Sequence, residues 1–328
     1  MKNYHIITYG CQMNESDSER IAGQLEAKSY QLTKDPKLAD LVIINVCSVR
    51  QSAINRVYSR VEKIRKYNKK AQLILTGCIL EKDKKQLSSQ VDKIWPIVDF
   101  KIKAKCRSSR HAFIPIMTGC NNFCSYCVVP YTRDRERSQS SQKIIKEVKN
   151  LIEQGHKEIT LLGQNVNSYH DKSFNFPKLL EKLNNLEGNF KINFLTSHPK
   201  DMSDKLIKVI AKSDKVSKEI HLPVQSGDDQ ILKEMNRGYS VKGYKSLIKK
   251  IRKEIPNAKI STDLIVGFPS ETEKQFQNTV KLIKQIKFSQ AYIASYSPRT
   301  GTQAAKLKDN VPSFEKKRRK TVLLKMFK

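Results

Sequence analysis

The sequence predicts an α/β protein in two parts: an N-terminal parallel-sheet α/β domain over residues 1–110, then a partial (β/α)6 barrel over residues 111–328. Three observations predict it. Short β-prone apolar runs alternate with longer amphipathic stretches, and strands separated by helices pair in parallel. A cysteine follows each of the first three such runs. After a polar interval the same rhythm returns for six more units without a break.

Tyr4 to Tyr9 (YHIITY) reads as the first strand, closed by Gly10 and Cys11, with a helix from about Glu15 to Lys28. Leu41 to Val46 (LVIINV) is the second, ending at Cys47, and a helix follows to about Lys70. Gln72 to Thr76 (QLILT) is the third, then Gly77 and Cys78. In a parallel sheet the residues just past the strands gather along one edge, where open α/β sheets bind ligands. Cys11, Cys47 and Cys78 are therefore expected to converge on a shared metal centre. Purely structural cysteines behave as small core hydrophobes and would more often fall inside the strands.

The stretch from Ile79 to Ser109 is polar and poorly periodic, with one short strand near Trp95 to Val98. It reads as the end of the first domain plus a linker, and Cys106 within it as incidental. Barrel strands are then expected at Ala112 to Met117, Glu158 to Leu162, Lys191 to Thr196, Glu219 to Val224, Lys259 to Val266 and Ala291 to Tyr296. Helices fill the gaps, most clearly Ser141 to Gln154, Val241 to Glu254 and Glu271 to Ile286. Barrel chemistry belongs at the C-terminal ends of the strands.

Composition narrows the function classes. Apolar runs are too short to span a membrane, and the N-terminus lacks the apolar core of a secretion signal, so the chain is expected in the cytoplasm. Seven cysteines in such a chain argue for metal or redox chemistry over disulfides. The balance of 62 basic against 32 acidic residues, a net charge of +30, points to a polyanionic partner, nucleic acid by default. A lysine-, asparagine- and isoleucine-rich proteome that makes many surfaces basic is the weaker alternative.

The sharpest signal is C-x3-C-x2-C at Cys120, Cys124 and Cys127 (CNNFCSYC), just past the first barrel strand. Such spacing wraps three thiolates around one inorganic cluster. A structural zinc wants four closed ligands, and no fourth cysteine lies near. Three ligands leave one iron of a 4Fe–4S cluster open to chelate the amino and carboxylate groups of S-adenosylmethionine (SAM).

This loop after the first strand of a partial barrel resembles the radical SAM superfamily. The resemblance implies a reduced cluster that cleaves SAM to a 5′-deoxyadenosyl radical, while the protein holds the reactants in register. Tyr126 matches the position that lies against the SAM adenine, with loop packing as its plainer role. Three earlier cysteines after three strands resemble the methylthiotransferases, whose second three-cysteine 4Fe–4S cluster supplies or carries the inserted sulfur. YGCQMN (Tyr9 to Asn14) is similar to the MiaB type, which acts on isopentenyladenosine beside the anticodon of tRNA. GCNNFCSYCVVPYTR (Gly119 to Arg133), LLGQNVNSY (Leu161 to Tyr169), TSHP (Thr196 to Pro199), HLPVQSG (His221 to Gly227) and DLIVGFPSET (Asp263 to Thr272) agree with it.

The resemblance implies a tRNA methylthiotransferase with two 4Fe–4S clusters and SAM. It implies a flavodoxin- or ferredoxin-like electron donor, a sulfur donor and a monomer. Related enzymes acting on threonylcarbamoyl-adenosine in tRNA or on a ribosomal protein, and a catalytically impaired RNA-binding remnant, are the alternatives. Gln164 and Asn165, with Ser197, His198, Gln225, Ser226 and Tyr296 to Arg299, fall at strand ends facing the expected site; Gln164 and Asn165 are the candidate SAM contacts. No dedicated acid–base catalyst is named beyond the cluster ligands. Arg133, Arg135 and Arg137 are expected at the barrel mouth, on RNA phosphates or the SAM carboxylate, or solvated at a helix start. The run Lys316 to Lys320 either adds RNA affinity or is solvated. The chain departs from the family pattern in a short interval between Cys78 and Cys120, in Asp134 where Gly is typical, and in an expected absence of the C-terminal TRAM domain.

Overall fold

The computed structural model describes residues 1–49 and 51–327, so Arg50 and Lys328, the last residue of the expected barrel, lie outside it. The first part comprises β1 (Asn3–Tyr9), α1 (Gln12–Glu26), β2 (Gln31–Leu32), β3 (Leu41–Cys47), α2 (Gln51–Tyr67), β4 (Gln72–Cys78), α3 (Glu81–Leu87) and β5 (Lys93–Ile94). Its strands form one parallel sheet in the order β2-β1-β3-β4-β5. The central strand β3 is buried along its whole length, which explains its unbroken apolar run. Val42, Ile44 and Val46 face Ile54, Val57, Val61 and Ile64 of α2, while Leu41 and Ile43 face Ile21 and Leu25 of α1.

Two local expectations shift. Helix α1 starts at Gln12, directly after Cys11, because Cys11 is its extended N-cap and Asn14 closes a capping box on it. The stretch read as a linker contains α3, whose one buried residue, Leu87, leaves no apolar period to detect. The short strand of that stretch is Lys93–Ile94, before the expected Trp95 to Val98; the Trp95 amide still donates to Leu75 O.

The second part opens with β6 (His111–Pro115), β7 (Met117–Thr118), α4 (Val129–Thr132), β8 (Arg137–Ser138), α5 (Ser141–Glu153) and β9 (Glu158–Leu162). It continues with β10 (His170–Asp171), β11 (Phe174–Asn175), α6 (Phe176–Asn184), β12 (Lys191–Phe194), α7 (Asp204–Lys212) and β13 (Glu219–His221). It ends with α8 (Asp229–Glu234), α9 (Val241–Glu254), β14 (Lys259–Val266), α10 (Glu273–Ile286), β15 (Gln290–Ser295) and α11 (Ser313–Lys325). Parallel sheets β6-β9-β12 and β13-β14-β15 meet at a bridge between Ile192 and Val216, so six strands follow chain order around a partial barrel.

Some strands stop short of the sequence expectation, for identifiable reasons. Thr196, at φ +64°, turns the chain beyond β12. The ladder of β13 ends where the Val224 amide turns to Thr262 Oγ1, at 2.9 Å, in place of the β14 backbone. The run Ala112 to Met117 splits at Ile116, and β7 leaves the barrel to pair antiparallel with β8, bracketing the cysteine loop.

Both open edges of the barrel are covered. Helix α1 packs on β6, and α11 packs on β14 and β15. The basic run at 316–320 is therefore not a simple solvated face: Lys316 and Arg319 are buried. Lys316 Nζ lies 2.6 Å from Asp309 Oδ1, and Arg319 lies 2.8 Å from Glu271 and 2.7 Å from Glu315. Among the described residues no helix is long and apolar enough to cross a membrane.

Candidate functional site

Cys120, Cys124 and Cys127 occupy the loop between β7 and α4. Gly119 begins it at φ +80°, where a Cβ would sit 2.0 Å from Arg135 O, so only glycine fits there. Asp134 adopts φ +61°, the conformation that a glycine takes without strain, and its carbonyl accepts the Cys120 amide at 3.2 Å. Asp tolerates that region better than most residues, which accounts for its presence. The loop is pinned from outside: Ser125 N donates to Met235 O at 3.0 Å and Ala304 N to Ser125 O at 2.8 Å. Two donors reach the sulfurs, Val129 N to Cys127 at 3.5 Å and Arg237 Nη1 to Cys124 at 3.2 Å. Burial, then the neighbouring Cys124, pushes the Cys127 thiol up to about 12, so a cation must replace its proton if it is to ligate at neutral pH.

The other trio comes from three separate places. Cys47 and Cys78 are the last residues of β3 and β4 and stand opposite one another in register; Cys11 caps α1 two residues past β1. Cys47 and Cys78 are buried and Cys11 is exposed. The strand ends are tied by a polar network that the sequence did not announce. Asn14 Nδ2 donates to Asn45 Oδ1 at 2.9 Å and to Val46 O at 3.1 Å, and Asn45 Nδ2 returns to Asn14 O at 2.8 Å. The Cys47 thiol and then the Arg133 guanidinium hold the Cys78 thiol down to about 6 against its burial, and Cys47 is raised in return.

Arg133 does not lie free at the mouth. It is buried, donates through Nε to Cys78 Sγ at 2.8 Å, and pairs with the buried Asp17 of α1. Those buried partners account for the difference, and Arg135, past the left-handed Asp134, lies over the Phe123 ring at 4.2 Å. Arg137 is exposed.

The expected SAM contacts divide. Gln164 Oε1 accepts the Gly119 amide at 2.6 Å, so it braces the cysteine loop. Asn165 donates to Asp201 at 2.7 Å, and its buried Oδ1 has no protein partner. Tyr126 packs with Phe268 and Tyr296, its hydroxyl 3.5 Å from Arg237 Nη1. Ser197 Oγ, His198 Nε2, Gln225 Oε1 and Tyr296 OH are likewise buried without a partner, all just beyond barrel strand ends. Unsatisfied buried polar atoms gathered there suit a polar ligand. Two residues point elsewhere. Ser226 Oγ lies 3.5 Å from Thr279 Oγ1 of α10, and Arg299 Nη1 donates to Gln51 of α2 at 2.6 Å. His198 Nδ1 accepts the Lys200 amide at 3.2 Å, and burial lowers its pKa to about 2, so it is neutral and caps a turn. Arg237, buried among Tyr239, Pro223 O and Cys124, had no signal in the sequence.

Both trios fit an iron–sulfur cluster by donor chemistry: three thiols each, with N–H donors aimed at sulfur, the protein's means of tuning such centres. Among the described residues no three His, Cys, Asp or Glu side chains gather as tightly as one bare ion requires.

Residues 114–283 match the model of the radical SAM superfamily, and residues 3–98 that of the uncharacterized protein family UPF0004. A tRNA-2-methylthio-N(6)-dimethylallyladenosine synthase of Clostridium botulinum (strain Hall) is 42% identical over 96% of this chain and 79% of its own length. Enzymes of the same name from Clostridium novyi and Caldicellulosiruptor saccharolyticus are 43% and 41% identical, over 95% and 99% of this chain and 78% of each relative. Among solved structures, the radical SAM methyltransferase TsrM of Kitasatospora setae superposes with a TM-score of 0.63 at 12% identity, covering 90% of this chain and 73% of that one. That likeness is one of fold.

Proposed function

Since the chain belongs to the radical SAM family of tRNA-2-methylthio-N(6)-dimethylallyladenosine synthases, we infer that it converts N(6)-isopentenyladenosine in tRNA, the same nucleoside, to its 2-methylthio form. It is a radical SAM sulfur transferase that uses SAM and a 4Fe–4S cluster. The names of the relatives favour this substrate over threonylcarbamoyl-adenosine or a ribosomal protein.

Cys120, Cys124 and Cys127 would hold the cluster that binds SAM; Cys11, Cys47 and Cys78 would hold a second 4Fe–4S cluster, and the division between the two parts falls at 110/111. When bound, the first cluster supplies the electron that cleaves SAM and the second supplies the sulfur-bearing centre. The chain's own residues bind, orient and exclude water. Asn165 Oδ1, Ser197 Oγ, Gln225 Oε1 and Tyr296 OH offer hydrogen bonds to the polar groups of SAM or of the target base, and Tyr126 offers a ring face. Gln164 fixes the loop on which the cluster sits. Neutral His198 shapes the wall and moves no proton. The net charge of +30 favours the tRNA polyanion. A flavodoxin- or ferredoxin-like electron donor, a sulfur donor, a monomer and a cytoplasmic setting complete the reading.

The observation that carries it is the pair of thiol trios, one past the strand ends of the first sheet and one in the loop between β7 and α4. Mass spectrometry of tRNA nucleosides tests it, using a strain lacking its own enzyme and expressing this chain. Appearance of the 2-methylthio nucleoside supports the assignment; unmodified isopentenyladenosine, with the protein loaded with clusters, overturns it.

A further inference from the structure

We propose that Arg133 is a positioning residue through which the barrel sets the reduction potential of the centre at Cys11, Cys47 and Cys78; this rests on the reading that those thiols hold a cluster. Arg133 follows the barrel's cysteine loop as the C-cap of α4, six residues past Cys127. Its neighbour Asp134 accepts the Cys120 amide, so the same turn is tied to the other trio. From there the guanidinium enters the first sheet and is buried at 5% exposure. A guanidinium cannot shed its proton, so burial obliges it to find partners. One side of its fork takes Asp17, itself 3% exposed, and Nε takes Cys78 Sγ at 2.8 Å.

Reduction of a cluster adds negative charge beside Cys78. A fixed cation and an N–H···S bond stabilise that charge and raise the potential, and hydrogen bonds to sulfur are a principal lever on such potentials. Asp17 acts the other way, offsetting part of the cation. Because Arg133 is covalently part of the barrel, at the end of α4, the potential of the first-sheet centre depends on correct docking of the two parts. Arg20 provides an internal comparison. It too is buried and crosses between the parts, to Glu147 at 3.4 Å, and its hydrogen bonds among the described residues go to Ile102 O and Glu147, not to a thiol of either trio.

The experiment is a redox titration followed by electron paramagnetic resonance on anaerobically reconstituted full-length protein. A C120A/C124A/C127A background leaves the first-sheet centre alone. R133Q is expected to shift its potential to more negative values with an altered spectrum, R133K to shift it part of the way, and D17N to shift it to more positive values. R20Q is expected to leave it in place. Should R133Q fail to load iron, the opposite signs of R133K and D17N carry the decision. An unchanged potential in loaded R133Q, or in both R133K and D17N, overturns the proposal, as does an equal shift in R20Q. A background protein that binds no iron and sulfide instead overturns the reading beneath it, that Cys11, Cys47 and Cys78 hold a cluster.

Discussion

The two cysteine trios reach similar chemistry by opposite routes. Cys120, Cys124 and Cys127 sit on one eight-residue stretch, and the backbone just past it, at Val129, supplies a donor to sulfur. Cys11, Cys47 and Cys78 come from three strand ends, and the guanidinium beside them comes from the other part of the chain. One trio is assembled mainly by local sequence and the other by topology. A local centre should fail locally; a topological one should respond to changes across the fold.

The largest effects separate the two outright. C124A should abolish SAM cleavage and methylthio product and lower bound iron by about four atoms per chain, one cluster's worth, read by iron and sulfide assay. C47A should lower iron by the same amount and abolish methylthio product, yet leave cleavage of SAM to 5′-deoxyadenosine intact. Equal loss of SAM cleavage in both would break the contrast.

Arg237 sharpens it from the barrel side. It is the tertiary partner of the local centre, reaching Cys124 across 113 residues of sequence. R237Q should slow SAM cleavage by about 10–100-fold, as loss of an outer partner to a metal ligand does. The spectrum of the first-sheet centre should not change. On stability, R319M should cost about 3–5 kcal/mol by stranding the buried Glu271 carboxylate, measured by denaturant unfolding. Because α11 packs on β14 and β15, the first-sheet spectrum should persist in the folded fraction.

The smallest effect is a pH dependence. Hydrogen bonds from Arg318 and Arg319 hold the Glu315 carboxyl down to about 2 from its ordinary 4.5. A depressed folded-state value means stabilisation that is present above the ordinary value and lost as pH falls toward the depressed one. E315Q should therefore be less stable than the parent by about 1 kcal/mol or less at neutral pH, and the gap should close between pH 4.5 and 2. A gap that persists at pH 2 would assign the helix contact to packing.

Much of this was legible in the residues. CNNFCSYC carries its own geometry, because ligands three and four residues apart need only one loop. The strand-end positions of Cys11, Cys47 and Cys78 followed from the alternation of strand and helix, which dictates a parallel sheet and a common edge. Other features left no such trace. Arg133, Arg135 and Arg137 look alike in TRDRER, and only the buried partners Asp17 and Cys78 distinguish the first. Asn14 and Asn45 read as ordinary polar residues until the sheet brings them together. Helix α3 buries too little to show a period, and the run at 316–320 reads as solvent-facing until α11 docks.

The sequence by itself determined the α/β class, the two groups of three thiols and the side of each sheet on which they lie, because those follow from periodicities and spacings of a few residues. Tertiary structure alone decided which charges face the sulfurs: Arg133 on Cys78, Arg237 on Cys124, and Lys316 and Arg319 turned away from solvent. The physical reason is burial. A long cationic side chain is indifferent to its sequence neighbours, and its partner is fixed only when packing removes water and compels it to find one.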